Sequence, residues 1–248
     1  MFKKPLKTGI LLLVMILIPT FCVSAQTSKT VHNQDELKSA LQDSNVATIT
    51  LANDIETTEK INIMRPVTID GAGHTMKYVG TFGSSGSKDN TVWGGIYVLQ
   101  VYKTTATIKN IKLTGGNAGL LVNGSKVTLV GTIDVSGNRF GGIELAQGSG
   151  VDQTAHLVLG ENATLVNTTE TSDKPTLWVP DDSDPAIVEK DGAQQIVNPD
   201  EELTLTEITE LFLPQDNPST GDLYWLPVIL GFLGAFSIFG SFRKKIYE

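Results

Sequence analysis

Cysteine is almost absent from this sequence: Cys22 is the only one in 248 residues. It lies inside an N-terminal apolar run, so a chain processed after that run contains no cysteine and forms no disulfide. Stability must then come from packing and hydrogen bonds. Export without disulfides is more typical of a bacterial surface than of a eukaryotic secreted domain.

Basic residues are scarce as well. Residues 1–25 hold three basic residues and no acid, and residues 221–248 hold three basic and two acidic residues. Of the 19 basic and 27 acidic residues in the chain, the segment 26–220 therefore keeps 13 and 25, a net charge of −12. Because such a surface repels phosphate, nucleic acid is excluded as a plausible partner.

The N-terminal 25 residues have the layout of a secretory signal peptide (1–25). "MFKKPLKTG" carries three lysines, "ILLLVMILIPTF" is an uncharged apolar run, and "CVSA" ends in small residues. Val23 and Ala25 match the small-residue pattern at a cleavage site, which predicts a cut after Ala25. The alternative is an uncleaved membrane anchor, which the shortness of the run disfavours.

The C-terminus combines an apolar segment with a basic end. Residues 223–242 carry no charge. At about 1.5 Å per residue they extend over about 30 Å, enough to cross a bilayer core. Because Arg243, Lys244 and Lys245 follow, we expect a cytoplasmic tail at 243–248 and the bulk of the chain outside.

The segment "NPSTG" before this span resembles the sorting signal of Gram-positive sortase substrates, in which motif, apolar span and basic tail follow in this order. The resemblance implies that a sortase cuts after the Thr and joins its carbonyl to an amine of peptidoglycan. The motif residues are Asn217, Pro218, Ser219, Thr220 and Gly221. Asn217 stands where Leu is usual, which leaves the sortase class open. A simple C-terminal membrane anchor is the alternative.

Short β-branched runs, broken by Gly and Asn, repeat from about 48 to 180, and two classes of run alternate. The first class comprises "ATITL" (47–51), "VTIDG" (67–71), "ATIKNI" (106–111), "KVTLVG" (126–131) and "AHLVLG" (155–160). The second comprises "INIM" (61–64), "GGIYVL" (94–99), "AGLLV" (118–122), "GGIEL" (141–145) and "TLWV" (176–179). Thr107 and Thr128 are 21 residues apart, as are Asn117 and Asn138.

Two or three strands per turn of about 21 residues predict an all-β fold, a right-handed parallel β-helix with coils about 4.8 Å apart. Ile49, Ile69, Ile108 and Leu129 are expected to stack into an apolar column inside it. Gly and Asn would supply the tight corners. The alternative is a β-sandwich, which the even spacing of two strand classes disfavours.

A stack of parallel strands needs a cap at its open end. "VHNQDELKSALQ" predicts a capping helix near 33–42, with Asn33 as N-cap and Glu36 reaching back to it. Leu37, Ala40 and Leu41 would form the apolar face of this helix.

With helix, "TITLANDI", "VTIDGAGHTM" and Gly/Asn coils in that order, residues 31–180 resemble the pectate-lyase-like β-helix of bacterial surface adhesins. The predicted domain covers 26–200, and 201–216 is an acidic tether. The resemblance implies a fold and leaves the activity open, because this fold hosts both enzymes and binders.

Few residues are candidates for catalysis or metal binding. A lyase of this fold needs a basic residue beside carboxylates that hold Ca²⁺, and neither Arg65 nor Arg139 has acids repeating at coil spacing beside it. Asp181, Asp182 and Asp184 could hold Ca²⁺ through oxygen ligands, but a solvated charge run is the simpler interpretation. No cofactor is predicted.

The segment "DGAGHT" offers one further candidate acid, Asp70. It is more simply a turn in which Asp70 caps and Gly71 and Gly73 bend. His74 is then a surface residue.

Ile69 and Ile108 are 39 residues apart, nearly two coil lengths, which predicts an insertion at 78–95. Loops on rigid scaffolds commonly carry recognition, so Tyr78, Phe82 and Trp93 are predicted ligand contacts. The alternative is an excursion without function.

These patterns predict an adhesin-like binding protein, exported to the cell wall or surface of a Gram-positive bacterium. Its expected partners are sortase, peptidoglycan, the membrane before processing, and a carbohydrate or other surface ligand. A polysaccharide lyase or glycoside hydrolase is the alternative, and a structural or immunity-related wall protein is a third class.

Overall fold

In the computed structural model of the protein, residues 26–82, 96–148 and 150–213 are described. This part of the chain consists mostly of strands, with two short helices. In the same ranges, no helix is both long and apolar enough to cross a bilayer. The predicted signal peptide, sorting signal and apolar span lie outside the described residues.

The strands follow each other in repeated turns of the chain, which we call coils. Before the first coil come β1 (Thr27–Val31) and α1 (Gln34–Gln42). Coil 1 comprises β2 (Val46–Leu51), β3 (Ile55–Thr57) and β4 (Ile61–Ile63); coil 2 comprises β5 (Val67–Asp70), β6 (Thr75–Tyr78) and β7 (Tyr97–Tyr102). Coil 3 comprises β8 (Thr105–Thr114) and β9 (Ala118–Asn123), and coil 4 comprises β10 (Lys126–Asp134) and β11 (Gly141–Ala146). Coil 5 comprises β12 (His156–Leu159), β13 (Thr164–Val166) and β14 (Leu177–Trp178).

Equivalent strands of successive coils pair in parallel and build two sheets. Sheet A has 11 strands, in the order β1-β2-β5-β8-β10-β12 followed by two later strands, with β3, β6 and β13 beside this path. Sheet B has six strands and contains β14-β11-β9-β7-β4. This parallel stacking is consistent with a β-helix and contradicts the β-sandwich alternative, whose sheets are antiparallel.

The predicted interior column is confirmed. Ile49 pairs with Ile69, Ile69 with Ile108, and Ile108 with Leu129. All four side chains are fully buried. Every coil therefore contributes an aliphatic side chain at the same register, so burial of each layer depends on the layers on either side of it.

Each coil also has a third strand position, between the two predicted classes. In coils 1, 2 and 5 it is a separate strand, whereas in coils 3 and 4 it is the second half of β8 and β10. The bend inside β8 lies at Asn110 (φ 44°) and that inside β10 at Gly131 (φ 65°). Such a bend cannot be seen in an uninterrupted β-branched sequence, because only one residue has backbone angles outside the extended region.

Helix α1 has Asn33 as its N-cap, as predicted, and Glu36 Oε1 accepts a hydrogen bond from Asn33 Nδ2 (3.1 Å). The Glu36 backbone N–H donates to Asn33 Oδ1 (2.9 Å), and Glu36 Oε2 accepts from the His32 backbone N–H (2.9 Å). Leu37 and Ala40 are buried, whereas Leu41 is only half-buried. The helix packs against β1, β2 and β3 and so covers the open end of the first coil.

The C-terminal end of the stack closes differently. β15 (Ala186–Lys190) continues sheet A in parallel, and β16 (Ala193–Val197) then folds back antiparallel to it. β17 (Glu202–Leu203) pairs antiparallel with β14, and α2 (Leu205–Glu210) follows. The compact unit extends to Ile208, so the first residues of the predicted tether at 201–216 belong to the folded domain.

Candidate functional site

A depression lined by several polar residues lies where the chain turns from the first class of strand to the third strand position in coils 2 to 4. We call it the corner groove. It has a volume of about 630 Å³ and is lined by Asp70, Ala72, Gly73, Thr75, Asn110, Ile111, Lys112, Thr132 and Asp134. Because three successive coils contribute, the groove extends over about 10 Å along the stack.

Two Lys–Asp ion pairs hold the groove together. Lys109 Nζ lies 3.1 Å from Asp70 Oδ2, and Lys112 Nζ lies 3.0 Å from Asp134 Oδ2. Each pair joins neighbouring strands at the same register position. The aspartates are less than a quarter exposed (22% and 23%), so both carboxylates are largely shielded from solvent.

A backbone N–H two residues further along the chain also fixes each aspartate. The N–H of Ala72 donates to Asp70 Oδ1 (3.0 Å), and the N–H of Ser136 donates to Asp134 Oδ1 (2.8 Å). The turn predicted at Asp70 is therefore present. Burial alone would raise the pKa of Asp134, but hydrogen bonds from Ser136 and the charge of Lys112 outweigh it and hold the pKa below its ordinary value.

A row of threonine hydroxyls lies next to the corner groove on the outer face of sheet A. Thr48 pairs with Thr68, Thr68 with Thr107, and Thr107 with Thr128. Since neighbouring strands in a sheet are about 4.8 Å apart, the four threonines repeat at about that spacing along the stack. This row is polar and uncharged.

The predicted contact residues are divided between core and surface. Tyr78 is 4% exposed, and its hydroxyl donates to the Thr81 carbonyl (2.9 Å). Its ring meets Phe82 edge to face at 5.4 Å, and Phe82 is 37% exposed. Trp93 lies outside the described residues. Of these two predicted contact residues, Phe82 is exposed to solvent, and Tyr78 is buried and packs against it.

The two arginines among the described residues have structural partners. The Arg65 guanidinium donates to the carbonyls of Leu41 (2.7 Å) and Ala40 (2.8 Å), which are unpaired acceptors at the end of α1. The Arg139 guanidinium lies 5.0 Å from the Phe140 ring centroid and 5.7 Å from that of Phe82. Neither lies beside a carboxylate cluster.

The other candidate ligands lie apart from one another. Asp181, Asp182 and Asp184 are exposed. His74 Nδ1 lies 3.4 Å from Asp54 Oδ1. Throughout the described ranges, no three His, Cys, Asp or Glu side chains come close enough to hold a metal ion together.

A buried polar cluster on sheet B was not predicted. Glu144 lies between the inward-facing Ile143 and Leu145, so its side chain points outward, yet it is only 2% exposed. The Tyr97 hydroxyl donates to Glu144 Oε2 (2.8 Å), and the Lys60 ammonium lies 5.6 Å from the Tyr97 ring centroid. Burial lowers the pKa of Lys60, and the charge of Glu144 partly offsets this.

Gln100, Leu121 and Trp178 continue the outward row of Glu144. All three are buried. The burial of Trp178 on the outer side of sheet B reflects the alternation of the strand.

Sequence patterns alone missed the basic partners in the corner groove. Lys112 and Asp134 are 22 residues apart, close to the repeat length, so a search for opposite charges at coil spacing would have found them. Asp70 and Lys109 are 39 residues apart because coil 2 contains the insertion, and that spacing hides their contact.

Comparison with known protein families gives a match. Residues 28–169, which are 142 of the 248, match the profile of the pectate lyase-like adhesive domain. No curated protein and no solved structure matches the chain. The match covers α1 and coils 1 to 5 as far as β13, and so includes the whole corner groove. With more than half of its length covered, the chain belongs to the pectate lyase-like adhesive domain family.

Proposed function

We propose that this protein is an adhesin-like binding protein, exported and anchored at the surface of a Gram-positive bacterium, which recognises a carbohydrate or another surface ligand without chemical turnover. Membership of an adhesive-domain family is the observation that carries the proposal. The predicted right-handed β-helix would serve as a rigid scaffold, and right-handed crossovers are the rule for parallel strands.

The chemistry of the corner groove supports binding over catalysis. A glycosidase needs one carboxylic acid whose pKa is raised so that it can protonate the leaving group. Asp134 has a lowered pKa instead, and a lysine neutralises each aspartate. Asp134 in this state accepts hydrogen bonds well and donates a proton poorly.

The anchoring part of the proposal depends on the sequence at the two ends. A signal peptide cut after Ala25 would export the chain, and a sortase acting at Thr220 would attach it to peptidoglycan. The test is fractionation of cells that produce the wild-type chain or a variant lacking Asn217–Gly221. We expect the wild type in the muramidase-released wall fraction and the variant in the membrane fraction. Equal distributions would contradict sortase anchoring.

Adhesion is tested separately by comparing cells with and without the chain on surfaces coated with host glycoproteins or bacterial polysaccharides. We expect at least one coating to retain only the cells that produce the protein. Equal retention on every coating would contradict the adhesin function.

The lyase or hydrolase alternative has one observation in its favour. Lys60 combines a lowered pKa with the neighbouring Tyr97 and Glu144, and a lysine with a lowered pKa can act as a base. Polygalacturonate and neutral glycans incubated with the protein and Ca²⁺ test it. New reducing ends or unsaturated products, lost in Lys60→Met, would establish turnover and overturn the non-catalytic assignment.

A further inference from the structure

We infer that the corner groove is a binding site for a neutral oligosaccharide lying along the stack across coils 2 to 4. This deepens the proposed function, since it depends on the protein being a surface binder. The ligand class follows from the polar groups in the groove, their fixed positions, and their charge balance.

The groove offers donors and acceptors side by side. Asp70 and Asp134 accept hydrogen bonds, whereas Lys112 and the hydroxyl of Thr132 donate them. Neighbouring hydroxyls of a sugar ring both donate and accept. A ligand of this kind can therefore satisfy acceptors and donors that alternate over about 10 Å.

The carboxylates are already positioned before a ligand arrives. Each has one oxygen held by a backbone N–H and the other by a lysine, and further lone pairs remain on both oxygens. Side chains held in this way lose little conformational entropy on binding, which favours recognition of weakly binding sugars.

The charge balance and the lining of the groove disfavour charged polymers and apolar peptides as ligands. Lys112 in the lining pairs with Asp134, and Lys109 beside the groove pairs with Asp70, so the local charges cancel and the groove attracts neither a polyanion nor a polycation. Among the described residues of the lining, Ile111 is the only large aliphatic one, which gives an apolar peptide side chain little to pack against. The volume of about 630 Å³ falls within the range of sites for small ligands, about 300–1,000 Å³.

The test uses cells that display the full chain, fluorescent neutral oligosaccharides of glucose, mannose, galactose or N-acetylglucosamine, and polygalacturonate as the acidic comparison. Cells lacking the chain give the background, and an antibody normalises the amount displayed. We expect saturable binding of at least one neutral oligosaccharide. We also expect at least a tenfold loss of apparent affinity in Asp70→Asn/Lys109→Met and in Lys112→Met/Asp134→Asn.

The matched control is Lys38→Met/Glu59→Gln, which removes a different exposed ion pair of 2.6 Å. It should bind like the wild type. The Gly73 and Asn110 amide signals of the purified chain should shift on titration with the bound sugar, which tests the site without any substitution.

Three outcomes would overturn the inference. If a neutral sugar binds equally to the wild type and both groove variants, the ligand lies elsewhere and the adhesin function stands. If only polygalacturonate binds, the ligand class is wrong. If no glycan binds while the cells still adhere to coated surfaces, the groove does not bind an oligosaccharide and adhesion uses another surface. If cells that display the chain neither bind a glycan nor adhere, the proposed adhesin function is contradicted as well.

Discussion

Lys29 of β1 pairs in register with Ile49 of β2, at the position where coils 2 to 4 place the buried Ile69, Ile108 and Leu129. The apolar column therefore ends on a charged side chain. Among the described residues, β1 pairs only with β2, so its other side is an open sheet edge. An inward-pointing lysine on an edge strand discourages the addition of a further strand.

We predict that Lys29→Ile makes the protein self-associate, because the column would then end on an apolar residue beside unpaired backbone groups. Sedimentation velocity should show concentration-dependent oligomers in the variant and not in the wild type. The control is Ser28→Ile, which adds the same side chain to the outward-facing row paired with Thr48. Oligomers in the control alone would contradict a specific role for Lys29.

Ile108 should be among the most sensitive core positions, since it is fully buried between Ile69 and Leu129. Ile108→Ala removes apolar contacts and leaves a cavity in the column, which costs about 2–5 kcal/mol in the free energy of unfolding. Urea unfolding followed by circular dichroism measures this. Ile196→Ala, at a position 67% exposed, should change stability by about 0.5 kcal/mol or less.

Gly71 and Gly73 were both expected to bend the turn, but the structure assigns them different roles. Gly73 has φ +86° with open space around it, whereas a Cβ on Gly71 would lie 2.5 Å from the Asn110 carbonyl oxygen of the next coil. Gly73→Ala should cost about 1 kcal/mol from backbone strain. Gly71→Ala should cost more, about 1–3 kcal/mol, because two backbones must separate. Equal thermal shifts for the two variants would contradict this difference.

Arg65→Gln should destabilise the protein by about 1–2 kcal/mol, because two helix-end carbonyls lose charged donors. The loss should appear as faster amide exchange in α1, measured by mass spectrometry. Ligand binding by the remaining folded protein should be unchanged. A loss of binding without a change in α1 exchange would instead indicate a functional arginine.

Asp134 gives stability a pH dependence. Its pKa is lower in the folded chain than its ordinary value of 3.8, so the carboxylate stabilises the fold above that value. This contribution is lost as the pH falls below about 4 and through the lowered pKa. Asp134→Asn should therefore cost about 1 kcal/mol at pH 7 and progressively less below pH 4. A stability difference that stays constant from pH 7 to pH 3 would contradict the ion pair.

Periodicity and local hydrogen bonding could be derived from the sequence by itself. The interior column from Ile49 to Leu129 follows from alternation within each strand and repetition between coils. The N-cap of α1 at Asn33 can be recognised from only four neighbouring residues. Both patterns are short in range, so they are visible in a linear sequence.

Contacts between coils were decided only by the tertiary structure, because the coils differ in length. Residues that pair in the column are separated by 20, 39, 21 and 30 positions, from Ile49 to Leu159. A partner on the next coil therefore has no constant offset in sequence. That is why the Asp70–Lys109 pair, the capping of α1 by Arg65, and the burial of Glu144 depend on how unequal turns of chain stack in register.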